Sequence, residues 1–114
     1  MRYWTVEEAR AELPRVRELV QVLRRAALVG ARVNGNGHGP PSTEAVEAAV
    51  AELAAGDIVV RDPSVGLIDF PARGDDGVMY FLCYRLDDDD LAWWHLPDEG
   101  SPGRKPLPRE PGSP

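Results

Sequence analysis

The fold is decided by one long apolar run in the second half of the chain, Val78-Met79-Tyr80-Phe81-Leu82-Cys83-Tyr84-Arg85-Leu86. Its length and its aromatic residues predict the longest strand of a sheet. Because successive side chains of a strand point to opposite faces, Leu82 and Tyr84 share one face while Phe81 and Cys83 share the other. Both faces are apolar, whereas a sheet with one face in water alternates apolar and polar residues. We therefore expect both faces to be covered.

Three shorter apolar runs flank the long one, and turn residues bound each of them. The runs are Ile58–Arg61, Leu67–Phe70 (closed by Pro71) and Leu91–Leu96, and the turns are Asp62–Gly66, Arg73–Gly77 and Asp87–Asp90. Such short connections join neighbouring antiparallel strands. The sequence therefore predicts an antiparallel meander of about four strands within residues 58–96.

A long amphipathic helix is predicted before the strands, over about residues 5–30, and Thr5 and Glu8 form a capping box at its start. Its apolar residues follow steps of three and four, which makes a heptad seam of Val6, Ala9, Leu13, Val16, Val20, Leu23 and Ala27. Pro14 interrupts this run. The unbroken seam favours a kink, but proline removes a hydrogen bond and clashes one turn back. We favour a break at Pro14 between two roughly collinear pieces.

A second helix is predicted over about residues 43–55, with Ser42 or Thr43 as its N-cap and Gly56 as its C-terminal stop. The segment Val33–Pro41 is rich in Asn, Gly and Pro, which predicts a loop between the helices. Two helices that each carry an apolar face and are joined by a loop predict an antiparallel helical hairpin.

The predicted fold class is α+β, with the N-terminal helical hairpin packed on the small antiparallel meander. Residues 1–97 make a single domain. Residues 98–114 are rich in Pro and Gly and lack an apolar pattern, so we expect this tail to be largely disordered.

Composition limits the class of partner and the compartment. The net charge of −6 argues against nucleic acid and against anionic membranes, because both need clustered Lys and Arg. No apolar stretch approaches the length of a membrane span. The single cysteine, Cys83, excludes an internal disulfide and a multi-cysteine metal site. We expect a cytoplasmic protein with a reduced thiol.

Two polar residues, Asp69 and His95, stand beside large hydrophobic residues, so burial would require a partner for each. As a catalytic pair, His95 would act as the acid or base and Asp69 would orient it, with Cys83 as the third member of a nucleophilic triad. As structural residues, Asp69 would accept hydrogen bonds from backbone amides or an arginine, and His95 would pair with a carboxylate. The structural interpretation is favoured, and a packed inert thiol is favoured for Cys83.

A ligand site is the competing interpretation. Arg85 and Arg104 are candidate partners for Asp69, for Glu99 or for an anionic ligand, although most arginines form weak surface pairs. The run Asp87–Asp90 lacks the alternating ligand spacing of a calcium loop, and His38 lies in the loop between the helices. We therefore predict no metal site and no cofactor.

The favoured function is a non-enzymatic binding or interaction module, either a homodimer or bound to another protein, that uses a sheet face and the heptad seam. Apolar residues on both strand faces and the lack of a catalytic motif motivate this expectation. The alternative is an enzyme or a small-anion-binding protein with a site around Asp69, Arg85, His95 and Arg104.

Several segments resemble a bacterial family known as domain of unknown function 2203. They are Met1–Ala9 followed by Leu13-Pro14, then Arg61–Pro63, Gly66–Ala72, Leu82–Arg85, Ala92–His95, Asp98–Gly100 and Gly103–Leu107. The resemblance extends from Met1 to about Leu107 and is strongest in the second half. Ser101-Pro102 stands where members usually carry an aromatic residue, and the loop rich in Gly and Asn interrupts the helical pair. The resemblance implies no activity.

Overall fold

The computed structural model describes residues 1–29 and 41–107, and it has the predicted α+β architecture. Two helices and five strands follow one another as α1 (Val6–Val29), α2 (Thr43–Ala55), β1 (Val59–Asp62), β2 (Leu67–Arg73), β3 (Met79–Tyr84), β4 (Trp93–His95) and β5 (Lys105–Pro106). A 3₁₀ turn, Ser101–Gly103, lies between β4 and β5. Within the described ranges, neither α-helix has the length and apolar character of a membrane span.

Helix α1 begins at the predicted capping box. The Glu8 amide donates to the Thr5 hydroxyl, and the Thr5 amide donates to the Glu8 carboxylate, each over 3.0 Å. The predicted break at Pro14 is wrong, because α1 is continuous through that residue. Proline removes only one hydrogen bond from the helix. Buried seam residues before and after it, Leu13 and Val16 among them, hold both halves against the same core.

Helix α2 has Ser42 as its N-cap, whose hydroxyl accepts from the Ala45 amide over 3.0 Å. At its other end Asp57, rather than Gly56, takes the left-handed conformation, with φ of 59°. Gly56 is needed for a different reason: a Cβ there would lie 2.9 Å from the Trp4 indole. The Trp4 ring nitrogen donates to the Gly56 carbonyl over 2.8 Å, which ties the start of α1 to the end of α2.

The two helices pack against each other in opposite directions, as predicted. Arg15 in the first half of α1 donates to both carboxylate oxygens of Glu52 near the end of α2, over 2.9 and 2.8 Å. Most of the predicted loop between the helices, with His38, lies outside the described residues.

The sheet is an antiparallel meander in the order β1-β2-β3-β4-β5. It has one strand more than predicted, because β5 pairs with β4 from within the segment that the sequence assigns to the tail. The Leu107 amide also donates to the Ala92 carbonyl over 2.8 Å. Residues 108–114 of the predicted tail lie outside the described part of the chain.

Strand β2 also extends further than the sequence indicates, since it continues through Pro71 to Arg73. Proline is tolerated in a strand where its backbone nitrogen does not have to donate a hydrogen bond to a neighbouring strand. The Pro71 carbonyl accepts from the Trp4 amide over 2.7 Å, beyond the residues of β2 that pair with β1, Leu67–Asp69, while β3 pairs along the other side. The N-terminal segment therefore extends the sheet edge at the place where Pro71 can be tolerated.

The core lies between the helices and one face of the sheet. Its fully buried sheet residues are Ile68, Phe70, Ala72, Leu82 and Tyr84. Trp4 joins this core, and its ring meets the Phe70 ring edge-on at 5.2 Å. Most of the heptad seam of α1, from Ala9 to Leu23, packs into this core and is buried within the chain itself.

Candidate functional site

The opposite face of the sheet carries a buried polar cluster formed by Asp69, Cys83 and His95. These residues lie on β2, β3 and β4, and the antiparallel register aligns Asp69 with Cys83 and Phe81 with His95. Asp69 and His95 are each 1% exposed, and Cys83 is fully buried. The predicted burial of these polar residues is therefore confirmed, and three neighbouring strands bring them together.

One oxygen of Asp69 accepts two hydrogen bonds. Arg61 Nε lies 2.8 Å from Asp69 Oδ2, and His95 Nε2 lies 3.0 Å from the same atom. The Arg61 guanidinium also covers the Phe81 ring, 4.9 Å from its centroid. The other oxygen, Asp69 Oδ1, is buried and has no hydrogen-bond partner among the described residues. Such an orphaned buried acceptor is uncommon in folded proteins.

Both ring nitrogens of His95 face oxygen atoms. Nδ1 lies 2.8 Å from the Leu96 carbonyl, and Nε2 faces the Asp69 carboxylate. A carbonyl oxygen only accepts, so Nδ1 carries a proton and donates it. When Nε2 is also protonated, Arg61, Asp69 and His95 form a charged chain across three strands. Removing one partner of such a buried ion pair is costly, because it leaves the other charge buried without compensation.

Burial raises the pKa of the Cys83 thiol to about 12, and the negative charge of Asp69 raises it further. The thiolate is the nucleophilic form of cysteine. Cys83 therefore stays protonated at neutral pH, and as it stands the cluster is no nucleophilic triad. This geometry supports the packed, unreactive thiol that the sequence favours.

The other candidate residues form separate pairs. Arg85 Nε donates to Asp87 over 2.6 Å, and Lys105 Nζ donates to Glu99 over 2.5 Å. Arg104 Nη2 lies 3.0 Å from each carboxylate oxygen of Asp88. Arg104 and Asp88 also act on the cluster with opposite signs, because the charge of Arg104 lowers the pKa of Cys83 and that of Asp88 raises it, against the larger effects of burial and Asp69. In the described part of the chain, Arg85, Arg104 and Glu99 are therefore each paired with another charged side chain.

Sequence reasoning missed Arg61 as the partner of Asp69 and proposed Arg85 and Arg104 instead. The pairing of β1 with β2 is irregular at Arg61, because the register shifts between Val60 and Asp62. A bulge re-aims a side chain without any signature in an apolar pattern. No signal in the run Ile58–Arg61 indicates this contact.

A second feature is an apolar groove at one end of the helix-facing side of the sheet, here called the Trp94 groove. Its volume is about 390 Å³, and it is lined by Gly74, Asp76, Val78, Tyr80, Trp94, Leu96 and Leu107. Tyr80 and Trp94 meet edge-on at 5.8 Å. Val78 is 53% exposed, which is high for a large apolar side chain.

A family model described as "uncharacterized conserved protein (DUF2203)" matches residues 40–107. The chain belongs to this family. The match contains the whole sheet of this DUF2203 protein, with the polar cluster and the Trp94 groove, and confirms the family resemblance over residues 40–107. No curated protein and no solved structure matches the chain.

Proposed function

We propose that this DUF2203 protein is a non-catalytic binding module that assembles as a homodimer through the Trp94 groove. The single observation that carries the proposal is the groove itself, an open apolar surface on an acidic protein. Contiguous apolar surface of this kind often marks an interaction site.

The polar cluster supports a binding role over a catalytic one. Asp69 and His95 are each 1% exposed, so a substrate has no access to their functional atoms. The thiol of Cys83 is protonated at neutral pH. Arg85 and Arg104, the candidates for holding an anion, are engaged with aspartates of the turn after β3. The alternative function, an enzyme or anion-binding protein, has less support for these reasons.

Charge at the groove favours a second copy of this chain as the occupant. Asp75 and Asp76 are exposed at the end where β3 begins. Lys105 lies at the other side, with its Nζ 4.9 Å from the centroid of the Trp94 ring, and it also donates to Glu99 of its own chain. A two-fold interface presents the same patch from both subunits. The acidic end of one copy would then face Lys105 of the other, which is complementary.

Multi-angle light scattering on the untagged protein tests this proposal. We expect the wild type to be a dimer and Val78→Lys to be a monomer, since the substitution places a charge in the groove. Val65→Lys is the matched control, because Val65 is similarly exposed, at 43%, but lies in the turn before β2. A monomeric wild type, or equal loss of dimer in both variants, would contradict the proposal.

A further inference from the structure

We propose that Asp69, Cys83 and His95 form a binding site for one divalent transition-metal ion of the Zn²⁺ class. Each side chain offers one ligand atom, and these atoms all lie within 4.8 Å of one another. The site is distinct from the Trp94 groove, and the inference does not depend on dimerisation.

The donor set selects the metal class. A thiolate sulfur, an imidazole nitrogen and a carboxylate oxygen are the three ligand types that Zn²⁺ takes in proteins. Calcium and magnesium prefer oxygen ligands alone, so this cluster disfavours them. The carboxylate and the thiolate bring two negative charges to the ion, of which the carboxylate charge is shared with Arg61, and these charges lower the cost of burying the ion.

The orphaned oxygen of Asp69 points to a missing ligand. Asp69 Oδ2 already accepts from Arg61 and His95, whereas Oδ1 is buried without a partner among the residues described. A buried acceptor left unsatisfied costs about 1–3 kcal/mol. A cation held between Oδ1, the sulfur and the imidazole would supply that partner.

The surrounding hydrogen bonds also match a metal site. The carbonyl of Leu96 accepts from His95 Nδ1, which leaves Nε2 as the ligating nitrogen. Arg61 holds Asp69 through Oδ2, which leaves Oδ1 as the ligating oxygen. Ligands in metalloproteins are oriented by outer partners of this kind.

Metal binding is balanced by proton release. The metal–sulfur bond forms as the Cys83 thiol gives up its proton, and, when Nε2 of His95 is protonated, the metal–nitrogen bond forms as Nε2 gives up that proton. The released protons pass to solvent, and no electron is transferred. The ion therefore replaces protons at the centre of the cluster.

Cobalt(II) is the probe for the first test, because a thiolate ligand produces a charge-transfer band in the near ultraviolet. The chain has one cysteine, so this band reports on Cys83 alone. We expect the untagged wild type to bind one equivalent of Co²⁺ with this band and Zn²⁺ to displace it. We expect Arg61→Gln to bind Co²⁺ about 10–100-fold more weakly, as for other outer partners.

Histidine variants supply the matched control. The sequence has two histidines, and we expect His95→Gln to lose the band while His38→Gln retains it. If His95→Gln does not fold, ¹H–¹⁵N spectra of the wild type replace it. Zn²⁺ should then shift Nε2 of one histidine, assigned by comparison with His38→Gln. A folded wild type with no thiolate band, or a folded His95→Gln that keeps it, would overturn the proposal.

Discussion

The face of the sheet that packs on the helices buries Ile68, Phe70 and Leu82, whereas the opposite face buries Asp69 and His95. On the first face, stability comes from apolar area and close packing, which depend little on direction. On the second face, each buried polar atom needs a partner at a defined distance and angle. The two faces should therefore respond differently to substitution: the first to lost volume, and the second to lost charge or hydrogen bonding at constant volume.

The largest effect is expected for Phe70→Ala on the helix-facing side. Phe70 is fully buried and packs edge-on against Trp4. Removal of a buried phenyl ring costs about 3–5 kcal/mol of the free energy of unfolding, measured by urea denaturation. The comparison variant is Phe81→Ala on the polar face, where Arg61 can settle over the space. A loss for Phe81→Ala as large as for Phe70→Ala would show that the two faces do not differ in this way.

Asp69→Asn tests the polar face at nearly constant volume. The substitution removes the charge that holds Arg61 and His95, and we expect it to lower the free energy of unfolding by about 1.5–3 kcal/mol in chelator. Asp89→Asn is the control, because Asp89 is exposed in the turn after β3 and does not line the Trp94 groove, and it should leave stability unchanged. Equal stability of Asp69→Asn and the wild type would mean that the charged chain contributes nothing to the fold.

Trp4→Phe asks whether a single hydrogen bond matters on the apolar face. The substitution keeps an aromatic ring but removes the donor to the Gly56 carbonyl. We expect a loss of about 1 kcal/mol beyond the change in packing, measured by thermal unfolding. Gly56→Ala disturbs the same contact from the other side, since its Cβ would meet the indole at 2.9 Å. If Trp4→Phe unfolds at the wild-type temperature, the bond is not stabilising.

The smallest effect concerns acid stability at the β4–β5 edge. Lys105 first, and then the Leu96 amide, lower the pKa of Glu99 below its ordinary value of 4.5. A lowered pKa in the folded state means that the stabilisation is present above pH 4.5 and is lost as the pH falls through the lowered value. In Glu99→Gln the midpoint of thermal unfolding should fall less steeply with acid than in the wild type. Parallel pH profiles for the two proteins would contradict this expectation.

Local rules in the sequence predicted much of this molecule. The capping box at Thr5, the seam of α1 and the short turns between the strands depend on residues close together in the chain. They were enough to specify two helices and an antiparallel meander. The burial of Asp69 and His95 also followed locally, because each stands between large apolar neighbours.

Only the tertiary structure decided the features that depend on distant residues. Packing on both sides of Pro14 keeps α1 continuous, and the Trp4 amide explains why β2 passes through Pro71. The shifted register beside Arg61 gave Asp69 its partner. Sequence patterns show how apolar residues repeat within one helix or strand, but they do not show which residues of two strands pair with each other. Which side chains meet across three strands therefore depends on a geometry that no single segment contains.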